Sequence, residues 1–347
     1  MPLTRVQLKN FTAFAELDLE LSPGINVLVG ANGTGKTHLM KVCYSMCEIS
    51  RTDESPSNKL IKVFLPSGGN RGRLVKQVHG IPYPTAEVYV YCGDSYTGAS
   101  FQNDRVGLEN WRRSNYSGPY NKGWAKSITG STYIPAKEML SNAPGFRSLY
   151  AQREIHFEEV YADILDRAFL PPLREPFEDT TKHLLGRIEG AMGGEVSIKN
   201  EEFFLSGKKG DIEFTLLAEG MRKLGLLWLL IRNGSLRPGS VLFWDEPETN
   251  LNPKLYGVAM EVLLELQRNG VQVFLATHDY VILRELDLQM EEEDDVAFHS
   301  LYHDPEGGEI ACQTARRYLD INPNAIEEAF EDIYDQQLER SLGSFGR

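Results

Sequence analysis

Little in this sequence points to a secreted, membrane-embedded or disulfide-held protein. Its 347 residues include only four cysteines, Cys43, Cys47, Cys92 and Cys312. None form a C-x-x-C pair, so the spacing offers no disulfide framework and suggests a reducing cytosol. Cys43 and Cys47 stand four apart, on one face of a helix, and read as buried thiols rather than ligands. No apolar segment follows the opening MPLTRVQLKNF, so no secretory signal is expected there. The longest apolar run, Leu224 to Ile231, is too short to cross a bilayer. Positive charge is scarce as well. Lys and Arg total 36 against 49 Asp and Glu, a net charge of -13. That balance argues against a protein that coats nucleic acid, while leaving room for a local basic groove. Repeats and low-complexity tracts are absent. With 41% hydrophobic and 24% charged residues, the chain reads as an ordinary cytoplasmic globular protein of one large or two modest domains.

Periodicity gives the organisation. Residues 3–9 and 16–21 alternate as half-buried strands do, and Gly24–Gly30, GINVLVG, reads as a buried central strand. Residues 60–98 suggest further short strands, and 99–131 an irregular insertion. Helical spacing covers 154–169 and ends at Pro171-Pro172, and a second helix is expected over 177–192. Two alternating runs, 195–199 and 211–216, predict a hairpin. The pattern then turns α/β: a helix after 217, strand 241–244, helix 254–268, strand 271–276 and helix 279–286. Glu291–Asp295 reads as a solvated loop, and 323–341 as a helical tail.

Three short stretches carry chemistry. GANGTGKT, Gly30 to Thr37, has the G-x-x-x-x-G-K-[ST] spacing between a strand and a helix. There Gly30, Asn32, Gly33, Thr34 and Gly35 let backbone N–H groups turn toward phosphate oxygens. Lys36 would reach the β- and γ-phosphates, Thr37 would bind Mg²⁺, and the helix N-terminus would add its positive dipole end. VLFWDEPETNLNP delivers Asp245 and Glu246 to the end of an apolar strand, where open α/β sheets place ligands. Asp245 is the second metal candidate. Glu246 is the candidate for orienting or deprotonating water, and Glu248 a neighbouring structural carboxylate. VFLATHD ends a further strand at Thr277-His278. Its imidazole, one helix after the acidic strand, would sit beside that strand and reach the γ-phosphate or the attacking water.

Between the hairpin and the acidic strand lies LLAEGMRK, a Gly at a helix start followed by two cations. Together with GANGTGKT, FWDEPETNLNP and ATHD, in that order, it resembles the ABC-type ATPases, and more closely the soluble branch of the SMC, RecF and OLD families. LKNFTAFAELDLELSPGINVLVGANGTGKT resembles that branch too. The resemblance covers roughly residues 1–40 and 212–286. It implies an α/β fold: a two-lobed P-loop ATPase head, with a mixed β-sheet core and a helical lobe inserted between Walker A and the signature motif. Expected boundaries are a nucleotide core over 1–95 and 205–310, a lobe over 95–200 and a tail over 311–347.

The resemblance also implies that Leu217, Glu219 and Gly220, with Arg222 and Lys223 behind them, cap the γ-phosphate of a nucleotide on a second subunit. Residues 217–221, LAEGM, stand where the family has Leu-Ser-Gly-Gly-Gln, so Ala218 lacks the hydroxyl. Glu248–Pro253 would form the D-loop. Within Tyr133–Leu140, Lys137 and Glu138 are candidates for the glutamine loop.

Only about 180 residues separate the P-loop from the signature, without sustained heptads, so no long coiled coil is expected. No Glu followed by D-x-D marks a Toprim nuclease. His299 and His303, four apart with no third ligand, are not read as a metal site. The expectation is a MgATP-hydrolysing dimer, or higher homo-oligomer, closing around two ATP molecules. It would switch a separate effector, a nuclease or toxin, in anti-phage defence. The rivals are a RecF-like DNA-binding ATPase in repair and recombination, and a transporter's ATPase subunit.

Overall fold

The computed structural model describes residues 2–49, 54–102, 130–152, 155–174 and 178–344. The expected insertion over 99–131 thus falls largely outside the described residues. Strands β1 (Arg5–Phe11), β2 (Phe14–Glu20) and β3 (Ile25–Val29) lead into helix α1 (Lys36–Ile49). All five residues of β3 are buried. Ile25, Val27 and Val29 enter one apolar cluster and Leu28 enters the other. This is the period-2 division of a strand covered on both faces.

The stretch 60–98 departs from the expected run of strands. Its first part continues α2 (Pro56–Phe64), capped by Ser55, whose hydroxyl accepts from the Asn58 amide. Pro56 at the first turn suits a helix start, which the alternation count did not register. β4 (Thr85–Cys92) and β5 (Ser95–Gln102) then pair antiparallel in a four-stranded sheet of order β2-β1-β4-β5. β6 (Gly130–Ile134) belongs to the central sheet instead. The 95–200 stretch therefore contributes strands to these two sheets, and one to a third, as well as the helices of the lobe.

That lobe contains α3 (Phe146–Gln152), α4 (Glu159–Ala168) and α5 (Asp179–Met192). The described part of the helix expected over 154–169 begins only at Glu159. The expected hairpin is a three-stranded sheet, β7 (Gly194–Lys199), β8 (Glu202–Gly207) and β9 (Gly210–Glu213). It leads into α6 (Glu219–Arg232), where the signature stretch sits.

β10 (Ser240–Asp245), α7 (Tyr256–Arg268), β11 (Gln272–Thr277), α8 (Tyr280–Gln289), β12 (Val296–His303) and β13 (Ile310–Ala315) complete the core. The last helix is α9 (Ala325–Ser344). The central sheet has the order β13-β12-β3-β11-β10-β6. Its strands pair in parallel except β13, which is antiparallel to β12. This is the expected mixed sheet. Gln272 joins the two large sheets. Its Oε1 accepts from the Leu3 amide at 2.7 Å, and its Nε2 donates to the carbonyls of Leu3 and Ser22.

A largely buried charge network fastens the lobe to α1 and α2. Lys41 meets Glu158 at 2.7 Å, Arg167 meets Glu48 at 2.6 Å, and Lys59 lies between Glu159 and Asp163. The loop 291–295 is less solvated than its five carboxylates suggested. The Asp294 side chain is covered by Arg268 at 2.8 Å, because that guanidinium reaches it from α7, while the residue as a whole is half-buried. Cys43 and Cys47 are buried, as their spacing implied. Among the described residues no group of His, Cys, Asp and Glu could hold a metal ion by itself, and no helix is long and apolar enough to cross a membrane.

His299 lies between the Thr314 hydroxyl at 2.9 Å and the Asn26 amide oxygen at 3.1 Å. Burial pushes its imidazole down to about 4. The unfolded chain takes up this proton near pH 6.5 and the folded chain only near 4. Stability should therefore fall as pH drops through that window and level off below it, by up to about 3 kcal/mol. Urea unfolding across pH 4 to 7 should show a shallower slope for His299→Gln than for the parent. An identical slope would contradict this.

Candidate nucleotide-binding site

Parallel pairing brings three strand ends together. Thr277 of β11 lies opposite Val29 of β3, and Asp245 of β10 lies opposite Ala276 of β11. The chain leaves β3 through the glycine loop, β10 through Glu246 and β11 through His278. The glycine loop, Asp245-Glu246 and Thr277-His278 thus share the carboxyl end of the sheet. This is the carboxyl-end position where open parallel sheets bind ligands.

Gly30, Gly33 and Gly35 all have positive φ, at 147°, 87° and 90°. A Cβ on Gly30 would stand 2.2 Å from the Leu301 carbonyl oxygen, and one on Gly35 would stand 2.6 Å from the Phe14 ring. A Cβ on Gly33 would meet nothing within 4 Å, so that side of the loop is open. Thr34 closes the turn by donating to the Ala31 carbonyl at 2.9 Å. Asn32 is exposed on the loop.

Lys36 is buried and curls back over the loop. Its Nζ donates to the carbonyls of Gly30 at 2.6 Å and Ala31 at 3.0 Å. Burial holds its ammonium below the usual lysine range, against the opposing pull of Glu246, Asp245 and Glu248. The Thr37 hydroxyl donates to Asp245 Oδ1 at 3.1 Å, and the buried Tyr133 hydroxyl donates to Asp245 Oδ2 at 2.9 Å. Burial raises the Asp245 carboxyl even so. An open glycine cradle, a desolvated lysine and a hydroxyl–carboxylate pair fit a phosphate chain carrying a divalent cation.

Glu246 follows with φ at 47°, and its amide donates to the Ala276 carbonyl at 2.9 Å. Its carboxylate is 3.9 Å from His278 Nδ1. Glu248 does more than fill a strand end. Its Oε1 accepts from the Thr277 hydroxyl and the His278 amide, both at 2.9 Å, and lies 3.3 Å from His278 Nδ1. Burial lifts its carboxyl above the usual range. Sequence reasoning missed Tyr133 and this clamp on His278. Tyr133 lies next to the end of β6, a strand whose place beside β10 no local pattern reveals.

The signature stretch departs from expectation. Ala218 occupies the N-cap of α6 and makes no side-chain cap bond, in keeping with its missing hydroxyl. Arg222 and Lys223, expected to face an anion, turn inward. Arg222 pairs with the buried Glu138 at 2.6 Å and donates to the Phe214 and Leu217 carbonyls. Lys223 is 1% exposed and donates to the Glu246 carbonyl at 3.2 Å. The carboxylates of Glu219, Glu248, Glu246 and Glu138 all act on the Lys223 ammonium, which burial holds below the usual lysine range, and a buried cation goes where its partners are. Glu219 accepts from the Asn250 amide at 2.8 Å. Beside Leu217, Leu216 is 74% exposed.

Known proteins resemble this chain in two ways. Residues 98–284, more than half of the chain, match the family model described as AAA domain, putative AbiEii toxin, Type IV TA system, and residues 5–56 match one described as AAA domain. The DNA replication and repair protein RecF of Pseudarthrobacter chlorophenolicus is 38% identical over 76 residues, 22% of this chain and 19% of that protein. RecF of an Enterobacter species is 50% identical over 46 residues, 13% of each chain. The chain thus spans under a fifth of the length of these curated relatives. An SMC head bound to the C-winged helix domain of ScpA matches with a TM-score of 0.57 at 12% identity, covering 92% of this chain and 99% of that one. A Pyrococcus furiosus-derived Smc head with an extended coiled coil matches at 0.51 and 11%, over 97% and 99%. At such identities the likeness is one of fold.

A Cβ on Gly220 would lie 2.7 Å from the Asn250 carbonyl oxygen and 2.8 Å from Leu251 Cα. Both are backbone atoms and cannot swing aside. Gly220→Ala is therefore expected to destabilise the isolated chain by about 1–3 kcal/mol through overpacking. Urea denaturation checks this, and unchanged stability would show that the α6 start and the 250–251 turn are not in tight contact.

Proposed function

This chain belongs to the AAA-domain family whose description reads putative AbiEii toxin, Type IV TA system, and from that premise we propose that it is a MgATP-hydrolysing dimeric switch for a separate effector protein. It is an ATP-binding ATPase of the SMC/RecF type. The observation that carries the proposal is the convergence of Lys36, the Thr37–Asp245 pair, Glu246 and His278 at the carboxyl end of the sheet.

Each residue has a chemical task there. Backbone amides of Gly33 to Thr37 and the start of α1 bind the β- and γ-phosphates. Lys36 gives up its two loop carbonyls and moves its charge onto the phosphates. Thr37 and Asp245 would hold Mg²⁺, which when bound supplies charge neutralisation to the phosphate chain. Glu246 orients the attacking water and takes its proton. His278, fixed at its amide by Glu248, hydrogen-bonds the γ-phosphate or that water. Lys36→Ala should weaken ATP binding at least a hundredfold by calorimetry. Glu246→Gln should keep binding within about threefold while losing at least 99% of turnover. Undiminished hydrolysis by Glu246→Gln would remove it from the catalytic role.

Leu217, Glu219 and Gly220 act on the nucleotide of a second copy, and Glu248–Pro253 lies at the same interface. Arg222 and Lys223 serve the same motif from inside their own chain. Closure would change the surface read by an effector, a nuclease or toxin of anti-phage defence. A RecF-like role on DNA is the second reading, favoured by the RecF-like stretches at modest identity. DNA that stimulates hydrolysis in a salt-dependent way would favour that second reading. Specific activity should rise with protein concentration as dimers form, and sedimentation with ATP and Glu246→Gln should show association. A monomer hydrolysing at a concentration-independent rate would contradict the two-subunit site.

A further inference from the structure

Lys223 is a buried cation that the nucleotide site described above does not use. It sits on the first turns of α6, 1% exposed, with its ammonium directed at the main-chain carbonyl of Glu246 at 3.2 Å. Burying an ammonium is unfavourable unless its partners are well placed. Here the partner is the backbone of the residue read as acting on water.

That backbone is unusual. Glu246 has φ at 47°, a conformation uncommon for residues other than glycine. Such a residue stays there only when its surroundings over-determine it. Its amide is fixed from β11 by the Ala276 carbonyl at 2.9 Å. Its carbonyl oxygen accepts twice, from the Thr249 amide at 3.1 Å within the turn and from Lys223 at 3.2 Å. Of these two contacts to the carbonyl, the one from Lys223 comes from another element. The same turn meets α6 twice more, where Glu219 accepts from Asn250 at 2.8 Å and where Gly220 lies against the Asn250 carbonyl and Leu251. The start of α6 and the 246–251 turn are thus held together from one end to the other.

We infer that Lys223 is a positioning residue. It fixes the left-handed peptide at Glu246 to the signature helix, so that the carboxylate's aim depends on where α6 sits. The inference rests on the reading of Glu246 as the residue that acts on water. Capping of a partner's nucleotide by Gly220 moves or steadies α6, and Lys223 carries that change to Glu246 within the same chain. The cation therefore contributes to turnover and not to nucleotide affinity.

The test uses the full chain with Lys223→Met, which keeps the length of the side chain and removes the donor, and Lys223→Gln as a second variant. For Lys223→Met we expect kcat to fall at least tenfold with KM for ATP within twofold of the parent. Some fall in melting temperature is expected, because removing this one partner leaves the Glu246 carbonyl and the nearby carboxylates without their cation, so kcat is compared at a temperature where both proteins are folded. In single-turnover hydrolysis with radiolabelled ATP, adding Lys223→Met to Glu246→Gln should cause no further loss, since both act on one group. A kcat within twofold of the parent at that temperature, an additive loss in the double variant, or a loss of ATP affinity as large as the loss of kcat would overturn the inference. So would failure of both variants to fold, which would make Lys223 a structural support. Full activity of Glu246→Gln alone would instead sink the catalytic reading on which the inference stands.

Discussion

Parallel pairing of β3, β11 and β10 is the constraint on which the site depends. Its register sets Thr277 opposite Val29, and Asp245 opposite Ala276. Residues more than two hundred positions apart, such as Thr37 and Asp245, then meet at 3.1 Å. A slip of one residue would turn every alternate side chain to the other face. Such a slip would exchange Leu28 with its neighbours between the two apolar clusters that sandwich the sheet. Hydrophobic burial on two faces thus fixes the register, and the register fixes the polar constellation.

The second theme is the placement of buried charge. Lys36 and Lys223 are nearly inaccessible, and burial holds both ammonium groups below their usual range. Each is directed at backbone carbonyls, Lys36 at its own loop and Lys223 at Glu246. Their hydrogen bonds go to carbonyls while carboxylates act on them from nearby, and such desolvated cations interact strongly with an anion brought near them. The carboxylates Asp245 and Glu248 are pushed up by the same burial. The lobe is fastened by a different set, Lys41, Glu48, Lys59, Glu158 and Arg167 around α1 and α4. Movement of the lobe therefore bears on the helix that begins at Lys36.

Much of this was legible in the residues. Strong local signals carried the glycine loop, the apolar strands before Asp245 and Thr277, and the helices over 179–192 and 256–268, because each combines a long period with a terminating signal. The adjacency of β10 and β11 followed from the single helix between them. The residues 60–64 were misread because alternation in a short apolar stretch does not separate helix from strand. The Pro at the helix start was the better clue. The partners of Arg222 and Lys223 were out of reach for another reason. A cation behind a helix N-terminus reads as anion-facing, whereas the groups that draw these two inward, the Glu138 carboxylate and the Glu246 main-chain carbonyl, lie far away in sequence. Tyr133 and the Glu248–His278 contact belong to the same class of long-range polar pairing.

The account's central claim is that one chain's phosphate cradle is completed by another chain's signature turn. The most direct measurement is a structure of the Glu246→Gln protein with ATP and Mg²⁺, at a resolution that shows side chains. The account predicts two nucleotides between two copies, each with its phosphates against residues 33–37 of one and residues 217–220 of the other. A nucleotide seated on residues 33–37 with the signature turn of every copy facing solvent, or copies joined through another surface, would contradict it.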